Sequence, residues 1–513
     1  MIPSFMLVIS MAILLIAPII IFFLGKIKIG LAKWSAFILV LIAAVFFALS
    51  FGDVYNGGSF NGTMDFTVPW LDFSVGSRNI LVNFSLVSDN LSFPIVAIIF
   101  ILTLAALVYS FGYMKDSEKQ ESYYALLVLY IAGIVGVVLA GDLVLFYVFW
   151  ELMLIPSYFI IAQWGSKPNA VKIAFKYFIF THVGAMAILM GIGGLWAFGS
   201  GVTGTFLISA LNLTSVGGTI IKLLTVLFLV GFSVKMAVFP LHTWLPDTHG
   251  EAPTPISAIL SGVMIETAAY AILRIITGVI KPQDDPSGRW FTWALIAIAV
   301  FTMMYGGLMA LAQKDTKRLF AYSSISQMGY IFFGLATFTE FGSNGAMFHI
   351  VSHALAKGSL FMVAGILMTQ IDHHKGRDIR QLGGLAYKMP ITAVVGLIAA
   401  LSLSGLPPLA GFMSEWIIFE GGLQFTAGPT GFPLGIVAMI FAILSTALTA
   451  TYTLLFMKNV FLGPEKEEFK DVKDPNWTMW VPLVILAALS FIIGILPKSV
   501  LNFVTEAVAT IFT

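Results

Sequence analysis

The chain is 513 residues long, 59% hydrophobic and 10% charged, with mean hydropathy +0.96 and a formal net charge of +1. So apolar a composition excludes a soluble globular protein, and so balanced a charge gives no nucleic-acid surface or polybasic membrane patch. There is no cysteine, which excludes thiolate iron–sulfur ligation, Cys-ligated zinc and disulfides within the chain.

Apolar runs recur along nearly the whole sequence, each of about 20 residues and so able to cross a hydrocarbon core of roughly 30 Å as a helix. Helices satisfy their own backbone groups in lipid, so the expected fold is an all-α integral membrane bundle. Cutting at polar, Gly and Pro breaks gives about 14 spans: 3–24, 31–51, 87–113, 122–139, 142–163, 168–198, 219–246, 252–279, 288–312, 316–338, 344–370, 390–422, 432–460 and 477–504. The first, "MIPSFMLVISMAILLIAPIIIFFLG", lacks a basic n-region and a small-residue cleavage site, so it reads as a span rather than a signal peptide. Phe51–Val87 reads as a long loop rich in Gly and Asn, carrying Asp53, Asp65 and Asp72. "LGPEKEEFKDVKDPN", near 462–476, reads as a solvated connector.

Lysine and arginine set the orientation. The odd-numbered loops and their edges hold Lys26, Lys28, Lys115, Lys119, Lys167, Lys172, Lys176, Lys314, Lys317, Arg318, Lys375, Arg377, Arg380 and Lys473, among others. The even-numbered loops and the C-terminal end hold only Arg78, Lys222, Lys281, Arg289 and Lys498. This bias places both termini outside and requires an even number of spans.

An ionisable group at mid-membrane costs a few kcal/mol on insertion scales, so each one inside a span is a functional candidate. Lys235 follows Lys222 by 13 residues, roughly 20 Å down its helix and too deep for easy snorkelling. Pro240 then removes a backbone donor and should break the helix, with His242 and Thr243 placed to hydrate the freed carbonyls. Glu151, nine residues after Asp142, is the natural partner whose distance could load or release a proton on the lysine. The bland alternative is a static Glu/Lys pair holding two helices together.

A second interruption, at Pro407 and Pro408 in "LSGLPPLAGFMSEW", precedes Glu415. Counting spans 4–8 and 9–13 as two units of five puts both broken helices at the fourth position, and five is odd, so the units must be inverted. Paired interruptions in inverted repeats point to an ion site. The division expected is therefore 1–121 for three N-terminal helices and an outer loop, 122–280 for the first repeat, 281–461 for the second, and 462–513 for an inner loop and last helix. In "MFHIVSHALAKGSLF", His349, His353 and Lys357 fall at i, i+4 and i+8 on one helix face. Such a row suits a proton relay. HxxxH without a further ligand is weak metal evidence, and interior packing is the plain alternative.

These stretches, with "FWELMLIPSYF", "VKMAVFPLHTWLPDTHGEAPTPISAILSGVM" and "QKDTKRLFAYSSISQMGY", resemble the antiporter-like subunits of respiratory complex I, and within them the subunit M type of NADH-quinone oxidoreductase, relatives of the Mrp antiporters. The resemblance covers almost the whole chain. It implies 14 helices, two inverted five-helix repeats with helices 7 and 12 broken, and one proton-translocation unit driven by redox chemistry in other subunits. It assigns Glu151 as the modulating acid, Lys235 as the lysine of the broken seventh helix, His349, His353 and Lys357 to the central polar axis, and Glu415 as the terminal glutamate. At one place the chain departs: Glu266, in "GVMIETAAY", stands where the family type implies a lysine. It should relay protons as a carboxyl group or pair with Arg274, eight residues on. The chain also ends soon after its fourteenth span, without the long lateral helix of the subunit L type.

The proton path expected from all this is Glu151, Lys235, His242, Glu266, His349, His353, Lys357 and Glu415. The chain itself should hold no redox cofactor and no metal. Its partners should be the membrane-arm and peripheral-arm subunits of a complex I-type assembly and membrane lipid, with no nucleic acid, in an energy-transducing membrane. A component of a multisubunit Na⁺/H⁺ antiporter or of a membrane-bound hydrogenase shares these motifs. A haem cytochrome using interior histidines, such as His182 with His353, is the rival of a different class.

Overall fold

Where the sequence is continuously apolar, the backbone is helical. The structure is a computed structural model that describes residues 2–51, 55–56, 59–60, 63–76, 78–166, 168–199, 204–284, 289–427 and 434–512; Asp53 and Lys167 lie outside them. Among the described residues, twelve helices are long and apolar enough to cross a membrane, from Ser4–Ile27 to Trp477–Ile495. Two further passages lie beside them. One is Thr316–Ala336, buried at every position but Arg318 and rich in Ser and Tyr. The other is the broken pair Pro390–Leu403 and Ala410–Ala427.

Both interruptions are built in the same way. The helix Gly218–Met236 ends before Pro240 is reached, because Ala237 turns left-handed at φ +55. Val238 N donates to Ser233 O at 3.0 Å and Ala237 N to Val234 O at 3.2 Å, the two bonds of a Schellman stop. At the second break Gly405 takes the left-handed position at φ +63. There Leu406 N donates to Leu401 O at 3.1 Å and Gly405 N to Ser402 O at 3.2 Å. Three residues past each left-handed residue stands a proline, Pro240 or Pro408, and seven further on an acid, Asp247 or Glu415. The two breaks are thus register-equivalent.

The stretch expected as a loop is instead largely a hairpin, Met64–Val75 paired antiparallel with Arg78–Ser88. Val82, Asn83, Ser85, Leu86 and Ser88 of its second strand are buried, and since the pairs 82/83 and 85/86 are adjacent, both faces of that strand are covered. The other strand is an edge, where Pro69 and an irregularity beside it are tolerated. Asn83 N donates to Asp142 Oδ2 at 3.0 Å, and Asp142 also caps the helix Leu143–Trp164 by accepting from Val144 N at 2.9 Å. The hairpin thereby fastens to the start of the helix that carries Glu151.

The last span also differs from expectation. The membrane helix stops at Ile495, and Lys498–Phe512 is a separate amphipathic helix burying Val500, Val504 and Val508 at helical spacing.

One long helix, Glu340–Gln370, forms the fully buried axis of the bundle. Gly345, one turn before His349, lets this axis touch the Ala410–Ala427 helix, since a Cβ there would stand 2.6 Å from Ile418 N. That contact brings the histidines of one helix to the glutamate of the other.

Candidate functional site: a buried row of ionisable side chains

Lys235 occupies the last turn of its helix and is 1% exposed. Its Nζ makes no hydrogen bond and lies 5.5 Å from the centroid of the Trp150 ring. The direct Glu151–Lys235 pair expected from sequence is not formed. Glu151 instead meets His182, with Nδ1 at 3.2 Å from Oε2. The reason is helical phase: Trp150 points at the lysine, and its neighbour Glu151 lies about 100° further round the helix. Glu151 is thus bonded to His182 and not to Lys235.

His242 stands in the break itself, stacked on Phe239 at 5.5 Å and edge-on to Tyr305 at 4.8 Å. Phe239 N is taken up by Thr302 Oγ1 at 3.2 Å, so a hydroxyl satisfies part of the unwound backbone.

Glu266 follows a π-helical turn, Leu260–Met264, inside its span. It is fully buried, and its Oε1 is hydrogen-bonded to His353 Nδ1. The alternative partner, Arg274, lies in a second π-helical stretch, Ile272–Ile280, where α-helical i, i+8 arithmetic fails. Arg274 grips Asp89 instead, with Nη1 to Oδ2 and Nη2 to Oδ1 both at 2.7 Å.

That pair makes a prediction outside the membrane-spanning segments. Burial alone would raise the Asp89 carboxyl, but the Arg274 guanidinium and the bonds from Ser92 outweigh it and bring the pKa down to about 2. The folded value lies below the ordinary one of about 3.9. The stabilisation is therefore complete above about pH 4 and is lost as pH falls toward 2. Thermal unfolding across that range should show Asp89→Asn less stable than wild type at pH 6, with the two curves converging in acid.

His349 Nε2 meets Gln327 Oε1 at 2.9 Å, and Nδ1 meets Ser414 Oγ at 2.9 Å. The rings of His349 and His353 are stacked 6.0 Å apart. At an effective dielectric near 20, two charges at that distance repel by about 3 kcal/mol, so the two rings are not charged together. Ser414 leads to its neighbour Glu415, whose Oε2 accepts from Thr446 Oγ1 at 2.8 Å; Tyr330 lies 3.0 Å beyond that threonine. Lys357 donates to Phe320 O at 2.9 Å and to Ser323 Oγ.

The structure therefore joins Glu266, His353, His349 and Ser414 into one row, sets Glu415 next to Ser414 in the chain but bonded to Thr446, and leaves Lys235 and Lys357 flanking it. Sequence reasoning missed Trp150, His182, Gln327, Ser414 and Thr446 as partners. His182 meets Glu151 and His353 meets Glu266, so the two histidines named in the haem reading are each held by a different carboxylate.

Gly405 guards the far end. A Cβ there would lie 2.5 Å from Glu415 Oε2, on a backbone already at positive φ. Gly405→Ala should cost about 1–2 kcal/mol for the left-handed backbone alone, with displacement of the carboxylate added. A thermal-unfolding comparison in detergent checks this, and an unchanged midpoint would contradict it.

With this geometry in view, kinship is informative. The sequence pattern described as "NADH:quinone oxidoreductase/Mrp antiporter, TM" matches residues 140–445, and that of "NADH-Ubiquinone oxidoreductase (complex I), chain 5 N-terminus" matches residues 70–124. Subunit M of the F(420)H(2) dehydrogenase of Methanosarcina mazei is 34% identical over 458 residues, covering 87% of each chain. NADH-quinone oxidoreductase subunit M of Escherichia coli is 31% identical over 456 residues, 87% of this chain and 85% of that one. A Na(+)/H(+) antiporter protein of Alkalihalophilus pseudofirmus is 34% identical over 490 residues, 91% of this chain; the chain spans 58% of that longer relative. Among solved structures, the membrane-bound sulfane sulfur reductase, an archaeal respiratory membrane complex, matches with TM-score 0.78 at 28% identity, over 94% of this chain and 76% of that one. Respiratory complex I from Thermus thermophilus matches in fold with TM-score 0.81 at 23% identity, over 98% of this chain and 100% of that one. A multi-pass membrane chain with two matched helix breaks, it belongs to the NADH:quinone oxidoreductase/Mrp antiporter transmembrane family.

Proposed function

We propose that this chain is the proton-translocating, antiporter-like membrane subunit of a complex I-type oxidoreductase, coupling redox energy released in partner subunits to proton movement. The observation that carries the reading is the row Glu266–His353–His349–Ser414, with Glu415 next to Ser414 in the chain, buried along the axis of the bundle. A membrane protein keeps such a row against its desolvation cost when charge has to move along it.

In this reading Lys235 holds a charge whose energy depends on the distance of Glu151. A shift of Glu151, driven from a neighbouring subunit, changes the proton load of Lys235. The change passes to the Glu266–His353 pair and, one protonation at a time, through His349 to Glu415. Lys357 sets the electrostatic level of the row from the other side of His353. His242 hydrates the break next to Lys235. The chain's own share is to hold and pass protons; redox cofactors belong to its partners, the other membrane-arm and peripheral-arm subunits. Both termini lie outside, on the lysine and arginine bias.

A second reading, a component of a multisubunit Na⁺/H⁺ antiporter, is favoured by the 34% identity over 91% of the chain to an antiporter protein. Purification through a tag on this chain separates the two. Copurifying subunits with reducible flavin or iron–sulfur spectra, and donor-driven acidification in vesicles, are expected. A complex with neither, whose proton movement requires a Na⁺ gradient, would favour the antiporter.

A further inference from the structure

Between the row and the face rich in lysine and arginine lies a histidine that the path above does not use. His249, in the helix Leu245–Glu251, is fully buried, and its ring stacks on Phe361 with centroids 4.7 Å apart. Neither ring nitrogen meets a hydrogen-bond partner among the described residues. Leaving a buried polar atom unpaired costs about 1–3 kcal/mol. Packing therefore does not account for the residue, since a phenylalanine would stack as well without that cost.

Its surroundings run in two directions. Phe361, on which the ring stacks, is one helical turn beyond Lys357. In the other direction, the turn 249–252 is bonded to Ser166, which with Asp315, His373, His374 and Arg377 lines a cavity of about 240 Å³. Ser166 N donates to Glu251 O at 3.1 Å, and Lys317 Nζ donates to Ala252 O. A Cβ on Gly250 would stand 3.7 Å from Arg377 Nη2. The residue thus lies between a polar cavity on the inner face and a buried lysine of the row.

We propose that His249 is a proton-intake relay joining the inner-face cavity to Lys357, an inference that rests on the translocation reading above. A neutral imidazole carries one N–H. Its bare nitrogen takes a proton from water on the cavity side, and the other nitrogen gives its proton toward the amine of Lys357. One N–H bond forms as another breaks, no electron changes hands, and a ring flip restores the starting state. With both nitrogens unpaired, no hydrogen bond opposes that flip.

The test uses the intact complex in vesicles. His249→Phe keeps the ring stacked on Phe361 and removes both nitrogens; His249→Gln keeps a polar group that cannot pass a proton. Both should assemble and transfer electrons, while protons moved per electron fall by this subunit's share, to the level of Lys235→Met. Wild-type proton movement in either variant would overturn the proposal, and so would loss of assembly in both, which would mark the residue as structural. Wild type and Lys235→Met are run alongside. If wild type moves no protons, the translocation reading fails; if wild type pumps, Lys235→Met loses this subunit's share and His249→Phe does not, only the His249 relay fails.

Discussion

Lys235→Met is expected to yield a complex that assembles fully, withstands heat at least as well as wild type, and moves no protons through this subunit. Lys235 Nζ is buried without a hydrogen bond among the described residues and lies over the face of Trp150, at 5.5 Å. A cation–π contact offsets about 2 kcal/mol when desolvated, less than the several kcal/mol that burying an ion costs. Methionine fills nearly the same volume and is apolar, so the exchange should be neutral or stabilising by about 1–4 kcal/mol. A lysine kept for structure would give the opposite result, since its removal would lower the melting temperature. Native gels and thermal unfolding decide the structural half, and a pH-sensitive dye in the vesicle lumen decides the functional half.

The second large effect is expected at Glu266. The carboxylate and His353 are both fully buried and bonded to each other. Glu266→Ala leaves the imidazole without that partner and opens a cavity, which together should cost about 3–5 kcal/mol and deplete the assembled complex. Glu266→Gln retains a hydrogen-bonding group of the same shape and should assemble, yet it cannot take up a proton, so redox-driven pumping through this subunit should stop. A double-mutant cycle with His353→Ala should return a coupling of about 1–3 kcal/mol in unfolding stability. A coupling near zero would mean that the two side chains do not act as a pair. Normal pumping by Glu266→Gln would remove the carboxyl from the path.

Much of this architecture was legible because membranes impose long apolar runs and because proline marks breaks. Pro240 and Pro408 announced both interruptions. They did not announce where the helices stop, since Ala237 and Gly405 turn left-handed three residues earlier, and the left-handed alanine carries no compositional signal. The hairpin Met64–Val75/Arg78–Ser88 was hidden by the Gly- and Asn-rich residues before it. The individual ionisable residues could be picked out because each interrupts an apolar run. Their pairings could not: Glu266 and His353 are 87 residues apart, and Glu151 and His182 are 31 apart. Nor could helical arithmetic assign Arg274, because the π-helical stretch around it changes the phase. Asp247 shows the same limit. It is the register equivalent of Glu415, yet it is partly exposed and pairs with Lys176 at 2.8 Å and Arg318 at 3.2 Å. Register placed both acids, and burial alone separates them.

The most direct test of the translocation path is the ratio of protons moved to electrons transferred, measured in vesicles carrying the whole complex with Lys235→Met beside wild type. A ratio lower in the variant by this subunit's share, with electron transfer and assembly intact, is the predicted result. An unchanged ratio would show that protons do not pass by way of Lys235, and would contradict the path from Lys235 through Glu266 and the histidines to Glu415.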